Sequence, residues 1–323
     1  MQQAAKLGSP SKANSQSRGD IFFRDVIAGL SAANKRLHPK YFYDQQGSEF
    51  FDQICTLDEY YPFQAELELL PEVADELMPT LTQDYDLIEF GAGSLRKVKP
   101  LLDCIRGIQS FTPIDISGEH LRTACRQLQD EYPDLRVQPV VADFSKPVEL
   151  AVSHNKRLGF FPGSTIGNFS PGEARDFLSN AGTTLGNNNY LLIGVDTKKS
   201  PHLLHTAYND RQGVTAQFNL NILERINREL DADIAVENFE HYAFYNAAQG
   251  RIEMHLISLE DQTASIQGIE VTFREGESVH TESSYKYTPA EFSQLAKSAG
   301  WRVERHWLAR DDLFATYLLR YGD

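Results

Sequence analysis

Apolar runs and helix-like patterns alternate along the middle of the chain. Five residues, Asp86 to Phe90, form a short apolar run, and helical periodicity follows over Lys97–Ile105. The alternation continues with the strand-like segments Gln109–Ile116, Arg136–Ala142, Arg157–Phe161 and Tyr190–Asp196 and the helix-like segment Glu119–Asp130. Strands that alternate with helices predict an α/β fold with a parallel sheet, whose ligand binds beyond the carboxyl ends of the strands.

The pattern changes on both sides of this segment. Before it, apolar residues recur at helical spacing from Ile21 to Leu30. After Thr197, two helical stretches are followed by several strand-like runs. The second helical stretch places a buried stripe on one side, made of Phe218, Ile222, Leu223, Ile226 and Leu230. Because this half contains no further glycine turn, we expect a second domain or a lid beside the ligand site.

Composition narrows the classes of protein to consider. A net charge of −14 argues against a nucleic-acid partner, because binding to phosphate backbones depends on Lys and Arg. The three cysteines lack C-x-x-C spacing and predict core thiols of a reducing compartment, the cytoplasm, rather than disulfides or a zinc site. Residues 1–20 are polar and predict an unstructured tail rather than a signal peptide. No apolar run reaches the length of a membrane span.

A glycine turn follows the first strand of the alternating segment. The turn Gly91-Ala92-Gly93-Ser94 lets a nucleotide-like ligand approach the backbone. A dinucleotide fingerprint requires a third glycine where this chain has Arg96. The short G-x-G after the acidic strand end at Glu89 therefore fits S-adenosylmethionine better than NAD, although a purely structural turn remains an alternative.

Further polar residues lie at the ends of the following strands. Asp115 comes 22 residues after Gly93, the spacing at which a carboxylate accepts the two ribose hydroxyls. Asp143 and Phe144 end the third strand and suit an adenine, which a carboxylate and an aromatic ring can bind together. Asn168 follows the fourth strand. These residues are predicted to share one edge of the sheet with Gly91.

Five stretches together resemble the L-histidine Nα-methyltransferases of ergothioneine biosynthesis, which form hercynine. The stretches are YFYDQQGSEFFDQICTLDEYYP, LIEFGAGSLRK, FFPGSTIGNF, AYNDRQGVTAQFN and TESSYKYT. The resemblance implies a Rossmann-like class I methyltransferase sheet and a second α+β domain that binds the substrate and is made from both chain ends. It therefore predicts a methyltransferase domain over 66–197 and a substrate-binding domain over 21–65 plus 198–323.

The resemblance also implies which residues bind the cofactor and the substrate. S-adenosylmethionine, whose product is S-adenosylhomocysteine, is expected against Tyr43, Gly91, Lys97, Asp115, Asp143 and Phe144. L-histidine is expected against Phe51, Tyr60, Gly163, Asn168, Tyr208, Met254, Glu282 and Ser284. In this assignment, Asn168 and Tyr208 hold the carboxylate, and Tyr60, Glu282 and Ser284 meet the imidazole. Tyr61 remains an alternative to Tyr60, although the spacing from Tyr43 and Phe51 favours Tyr60.

The expected reaction gives particular tasks to Tyr43, Asn168, Glu282 and Ser284. Tyr43 is hypothesised to hydrogen-bond the reacting amine and to relay its proton through water, and the amide of Asn168 can serve the carboxylate and the amine together. Glu282 and Ser284 alternate along an extended strand, so both can reach one imidazole ring. The alternative without a functional role is that Glu282 and Ser284 form a solvated turn before a capped helix.

Several other expectations complete the sequence-based interpretation. The nine histidines show no H-x-x-x-H or H-E-x-x-H spacing, so no metal is predicted, and a monomer without a membrane partner is expected. The alternatives are an N-methyltransferase for tryptophan or another free amino acid, a nucleic-acid methyltransferase, a non-catalytic cofactor-binding regulator and an NAD dehydrogenase. An apolar residue would be expected in place of Glu282 if the substrate were tryptophan.

Overall fold

The structure is a computed structural model that describes residues 12–322, with side chains described from residue 19 onward. Of the predicted tail over 1–20, residues 1–11 lie outside this range, and the first helix begins at Lys12. None of the helices in the described range combines the length and apolar composition that a membrane span requires.

The described residues form nine α-helices and thirteen strands. The helices are α1 Lys12–Leu30, α2 Gln45–Ile54, α3 Tyr61–Leu77, α4 Lys99–Cys104, α5 Gly118–Glu131, α6 Pro171–Leu185, α7 Pro201–Tyr208, α8 Val214–Leu230 and α9 Pro289–Ser298. The strands are β1 Tyr85–Phe90, β2 Ile108–Asp115, β3 Arg136–Val137, β4 Val140–Val141, β5 Lys156–Phe161, β6 Tyr190–Asp196, β7 Phe239–Asn246, β8 Arg251–Ser258, β9 Gln262–Ile266, β10 Ile269–Phe273, β11 Ser278–Tyr285, β12 Trp301–Leu308 and β13 Phe314–Tyr321.

The large sheet has eight strands in the order β12-β13-β6-β5-β1-β2-β3, and β4 pairs with the end of β2. The strands β1 to β6 run parallel to one another, which confirms the predicted parallel sheet. All six residues of β1 are buried, as expected for a central strand covered on both faces. The predicted strand over 136–142 is interrupted and forms the two short strands β3 and β4.

Two hydrophobic cores cover the two faces of this sheet. On one face, α3, α4 and α5 contribute buried residues such as Leu70, Leu101 and Leu121. On the other face, α6 and α9 contribute residues such as Phe177 and Phe292. The capping box that the sequence contains at Ser170 and Glu173 starts α6, where both reciprocal hydrogen bonds are present.

A second region is built around a three-stranded antiparallel sheet with the order β11-β8-β7 and the hairpin β9–β10. Its own core joins α1, α2, α7 and α8 to these strands. The five predicted stripe residues of α8 are all buried. This region contacts the segment 21–65, which the resemblance groups with it, because Asn221 Nδ2 donates to Asp44 Oδ1 at 2.9 Å.

The C-terminal strands β12 and β13 lie in the large sheet, although the sequence-based division groups residues 198–323 with the substrate-binding domain. β13 pairs antiparallel with β6 along its whole length, from Phe314 opposite Asp196 to Arg320 opposite Tyr190. β11 leads back to the same place, where Tyr287 N donates to Asp196 O at 3.0 Å. The two regions therefore meet at the carboxyl end of β6.

Candidate active site

The glycine turn after β1 has a backbone conformation that favours glycine. Gly91 has φ +68° and Gly93 has φ +52°, both in the left-handed region. Asp115, the last residue of β2, accepts hydrogen bonds from Gly93 N at 3.1 Å and from Ser117 N at 2.8 Å. The carboxylate of Asp115 thereby fixes two neighbouring loops at the edge of the sheet.

The loop after β4 closes over this turn from the side. A Cβ atom on Gly91 would lie 3.2 Å from Cε1 of Phe144, so the ring of Phe144 lies directly against the glycine. Asp143 is held by its own loop, because its Oδ1 accepts from the backbone N and the hydroxyl of Ser145 at 3.1 and 2.6 Å. The space beside Gly91 is therefore bounded by an aromatic ring and a fixed carboxylate.

A wide cavity of about 880 Å³ extends along this edge of the sheet. This volume lies in the usual range for small-molecule sites. The cavity is lined by all six residues that the resemblance assigns to the cofactor, namely Tyr43, Gly91, Lys97, Asp115, Asp143 and Phe144. Glu89 also lines it, and within the described residues its buried Oε2 has no hydrogen-bond partner. A glycine turn, fixed carboxylates and an unpartnered oxygen fit a polar nucleoside such as S-adenosylmethionine.

A second, small cavity of about 50 Å³ adjoins the wide one. The structure brings together here all eight residues that the resemblance assigns to the substrate, namely Phe51, Tyr60, Gly163, Asn168, Tyr208, Met254, Glu282 and Ser284. Tyr43, Gly163 and Asn168 line both cavities, so the two spaces meet at these residues. The rings of Tyr43, Phe51, Tyr60 and Tyr208 form one aromatic wall. Between ring centroids, Phe51 lies 5.7 Å from Tyr43 and 6.3 Å from Tyr60, and Tyr60 lies 6.1 Å from Tyr208.

Glu282 is the charged group of the small cavity. Its side chain is buried, and its Oε2 accepts a hydrogen bond from Asn168 Nδ2 at 3.3 Å. Burial raises the pKa of Glu282 to about 7, and the positive charge of Lys286 limits this rise. On the same strand, Ser284 Oγ accepts from the hydroxyl of Tyr208 at 2.9 Å. The alternative of a solvated turn at Glu282 and Ser284 is excluded, because both residues are buried in β11.

The structure distinguishes Tyr60 from Tyr61, the two candidates for the tyrosine that meets the imidazole. Tyr60 lines both cavities. Tyr61 begins α3, and its hydroxyl donates to the buried carboxylate of Asp196 at 2.8 Å. The geometry therefore favours Tyr60 as the residue that reaches a ligand.

The sequence interpretation missed a buried carboxylate that holds residues lining the two cavities. Glu66 is fully buried on α3, and its Oε2 accepts from Lys97 Nζ at 2.6 Å and from Gly163 N at 2.7 Å. Lys97 is thus held by Glu66 at the wall of the wide cavity. The signal in the sequence is a charged residue within the apolar stripe of α3, three residues after Phe63 and four before Leu70.

A group of possible metal ligands lies on β8 and β11, although no metal is predicted from the spacing of the histidines along the chain. Atoms of Glu253, His255 and His280 lie within 4.8 Å of one another. His280 pairs with His255 across the two strands, which is a juxtaposition that spacing along the chain does not reveal. The group already has internal partners, since His255 Nε2 lies 3.2 Å from Glu253 Oε2 and His280 Nε2 lies 3.0 Å from Ser283 Oγ.

Comparison with known proteins identifies the family to which the chain belongs. Residues 22–321 match the family described as "Histidine-specific methyltransferase, SAM-dependent". The chain is 39% identical over 296 residues to histidine N-alpha-methyltransferase of Mycolicibacterium smegmatis, covering 90% of this chain and 92% of that protein. It is also 39% identical over 289 residues to the enzyme of the same name from Mycobacterium tuberculosis, covering 88% and 90%. Identity to ergothioneine biosynthesis protein 1 of Schizosaccharomyces pombe is 25% over 314 residues, covering 93% of this chain and 41% of that protein. The chain therefore belongs to the family of histidine-specific, S-adenosylmethionine-dependent methyltransferases.

Proposed function

We propose that this enzyme transfers three methyl groups in turn from S-adenosylmethionine to the α-nitrogen of L-histidine and forms hercynine, the first step of ergothioneine biosynthesis. The observation that carries the proposal is the small polar cavity, in which Glu282, Ser284 and Asn168 lie together next to the wide cavity. The two mycobacterial relatives are named for Nα-methylation of histidine, and the Schizosaccharomyces relative is named for the pathway.

The proposed arrangement of substrate places its two ends on different groups. Glu282 and Ser284 reach the imidazole, while Asn168 lies between the imidazole side and the cofactor side of the site. One amide hydrogen of Asn168 contacts Glu282, so the other hydrogen and the carbonyl oxygen remain for the carboxylate and the amine. Met254 and Phe51 supply apolar walls. In this arrangement the α-nitrogen faces the wide cavity.

When bound, S-adenosylmethionine supplies a sulfonium methyl group to an in-line nucleophile. The protein has to align the amine and to let its proton leave, and alignment alone can supply about 7–11 kcal/mol of the acceleration. Tyr43 lies where the two cavities meet. Burial, and then the charge of Glu282, raises the pKa of Tyr43 well above its ordinary value. Tyr43 therefore acts in the proposal as a neutral hydrogen-bonding group that positions the amine, and the proton leaves through water.

Three successive transfers require that the nitrogen is held loosely. Each methyl group replaces a hydrogen that could donate, so a site that gripped the amine by its hydrogens would reject its own intermediates. The proposal therefore assigns tight binding to the ring and the carboxylate. We also propose a cytoplasmic monomer. The net charge of −14 supports the absence of a nucleic-acid partner.

One experiment tests the proposal directly. The purified chain is incubated with S-adenosylmethionine and a mixture of free amino acids, and the products are identified by mass. We expect trimethylated histidine and unchanged tryptophan. Methylated tryptophan with unchanged histidine would instead support the alternative of a related amino-acid N-methyltransferase, and unmodified amino acids throughout would refute both.

A further inference from the structure

A buried lysine lies behind the hydroxyl groups of the small cavity. Lys286 is 2% exposed, and its Nζ lies 2.7 Å from Asp196 Oδ2, 2.8 Å from Ser284 Oγ and 3.0 Å from the hydroxyl of Tyr208. It follows Glu282 and Ser284 at alternate positions, so the three side chains extend to the same side. The described residues that line the small cavity do not include Lys286. Any effect of Lys286 on a ligand must therefore pass through its neighbours.

The hydrogens around this lysine can be counted. An ammonium group has three donors and no acceptor, whereas a hydroxyl has one donor and two lone pairs. The three hydrogens of Lys286 reach Asp196, Ser284 and Tyr208, so both hydroxyl oxygens accept from it. Tyr208 in turn donates to Ser284 at 2.9 Å. Ser284 Oγ thus accepts twice, and its own O–H is the hydrogen that remains for a ligand. The hydroxyl of Tyr208 has no hydrogen left for the substrate carboxylate, which the resemblance assigns to Asn168 and Tyr208.

Asp196 keeps the lysine charged and in place. Its fully buried carboxylate accepts from Lys286, from Lys199 and from the hydroxyl of Tyr61. Burial opposes the charge of Lys286, but Asp196 and Tyr208 together outweigh it, so the pKa of Lys286 is raised above its ordinary value. Lys286 is therefore an ammonium at neutral pH. Removing it would still leave the carboxylate of Asp196 paired with Lys199.

We infer that Lys286 is a positioning residue that makes the Tyr208–Ser284 hydroxyl pair a hydrogen-bond donor, so that the site binds histidine with a neutral imidazole ring. A neutral imidazole has one N–H and one bare nitrogen. Glu282 accepts the N–H as a carboxylate, and Ser284 donates to the bare nitrogen. An imidazolium has N–H groups on both sides, so one of them would face the O–H of Ser284 with a lysine charge directly behind it. This inference rests on the proposed function.

The groups that face this hydroxyl pair come from several elements. The charged or titratable ones are Lys286, Asp196 and Glu282, together with the phenols of Tyr43, Tyr60 and Tyr61. Burial raises the pKa of each of these phenols, so all three stay protonated. Protonation of the ring in the complex therefore depends on Glu282 and Lys286. The negative charge of Glu282 favours a protonated ring, and the positive charge of Lys286 disfavours it.

The test measures the protonation of the bound ring. Full-length protein with S-adenosylhomocysteine and ring-15N-labelled L-histidine is examined by nitrogen NMR at pH 7.5 and at pH 6. We expect the wild type to hold one protonated and one bare ring nitrogen at both pH values. Lys286→Met should weaken histidine binding about 10- to 100-fold, the range for a hydrogen bond to a charged group. Its bound ring should become doubly protonated at pH 6.

A matched control uses the second lysine on the same carboxylate. Lys199→Met also removes a partner of Asp196. Within the described residues, however, Lys199 Nζ donates to Tyr61, Asp196 and the carbonyl of Thr197 and not to Ser284 or Tyr208, so the neutral ring should persist. A doubly protonated ring bound to the wild type would overturn the inference without any variant. An unchanged ring signal in folded Lys286→Met would also overturn it. If the wild type binds no histidine at all, the proposed function fails, and the inference fails with it.

Discussion

The small cavity and the wide cavity form the two halves of the site, and they are lined by different kinds of groups. In the small half, the polar side chains bond to one another, as Asn168 does to Glu282 and Tyr208 does to Ser284, around about 50 Å³ of space. In the wide half of about 880 Å³, backbone turns and loop carboxylates line the wall. A prearranged side-chain network can discriminate between substrates, because a poorly matched ligand leaves buried polar groups unpaired. We therefore expect recognition in the wide half to depend more on the shape of its backbone turns.

The largest expected effect comes from the small half. Glu282→Ala removes the only carboxylate that lines the small cavity in the described structure, so we expect histidine affinity to fall on the order of 1000-fold. S-adenosylhomocysteine affinity should change little, because Glu282 does not line the wide cavity. Titration calorimetry with each ligand separates the two affinities. Comparable losses of both would mean that Glu282 supports the fold rather than the substrate.

Glu282 is also expected to reduce the stability of the free enzyme. Its pKa is about 7 in the folded chain against 4.5 in an unfolded one, so the folded state binds the proton more tightly. The free energy of unfolding therefore falls as pH rises from about 4.5 to about 7, by about 3 kcal/mol in total. Glu282→Gln should be more stable than the wild type at pH 8 by up to that amount.

Urea unfolding at pH 8 and at pH 5 checks this sign. The advantage of Glu282→Gln should be small at pH 5, where the carboxyl of the folded wild type is already protonated. An advantage of equal size at both pH values would show that the charge of Glu282 is not its cause. The comparison of the halves predicts that Glu282 favours ligand binding at the expense of stability. In the free enzyme, its buried charge lacks the ligand group for which the network is arranged.

Tyr43 lies where the halves meet, and its expected effect is intermediate. Tyr43→Phe keeps the ring contacts with Phe51 and Phe218 but removes the hydroxyl. We expect kcat to fall about 10- to 100-fold and cofactor affinity to change far less, because the hydroxyl positions the amine. Steady-state kinetics and cofactor titration measure the two effects. Tyr41→Phe is a control outside both cavities, and an unchanged kcat in Tyr43→Phe would remove Tyr43 from the mechanism.

The sequence predicts the wide half better than the small half from local pattern alone. Gly91, Asp115 and Asp143 follow successive parallel strands, whose carboxyl ends meet at one edge, so their proximity follows from strand order. The small half joins residues distant in sequence, and only the family resemblance brings Tyr43 and Glu282 together before the structure is known.

Contacts that the sequence interpretation missed share one physical cause. Glu66 meets Gly163, and Lys286 meets Asp196, through pairings between elements that no local pattern encodes. The assignment of β12 and β13 to the substrate-binding domain fails for the same reason, because it also depends on a pairing between distant elements. An antiparallel strand added at the edge of a parallel sheet has the same residue pattern as a strand of a separate sheet, so only the pairing with β6 assigns it.

The smallest expected effect tests whether backbone shape governs the wide half. Gly91→Ala and Gly93→Ala each place a side chain in the left-handed region, which costs about 1–2 kcal/mol of unfolding free energy. Only at Gly91 does the added Cβ also meet Phe144, at 3.2 Å, whereas nothing lies within 4 Å at Gly93. Because both positions have this left-handed backbone, both variants should lose similar stability in urea unfolding. Gly91→Ala alone should lose a further 5- to 10-fold, roughly 1 kcal/mol, in S-adenosylhomocysteine affinity, because Phe144 is displaced. A greater loss of affinity at Gly93 would place the cofactor against that residue and contradict the contact predicted at Gly91.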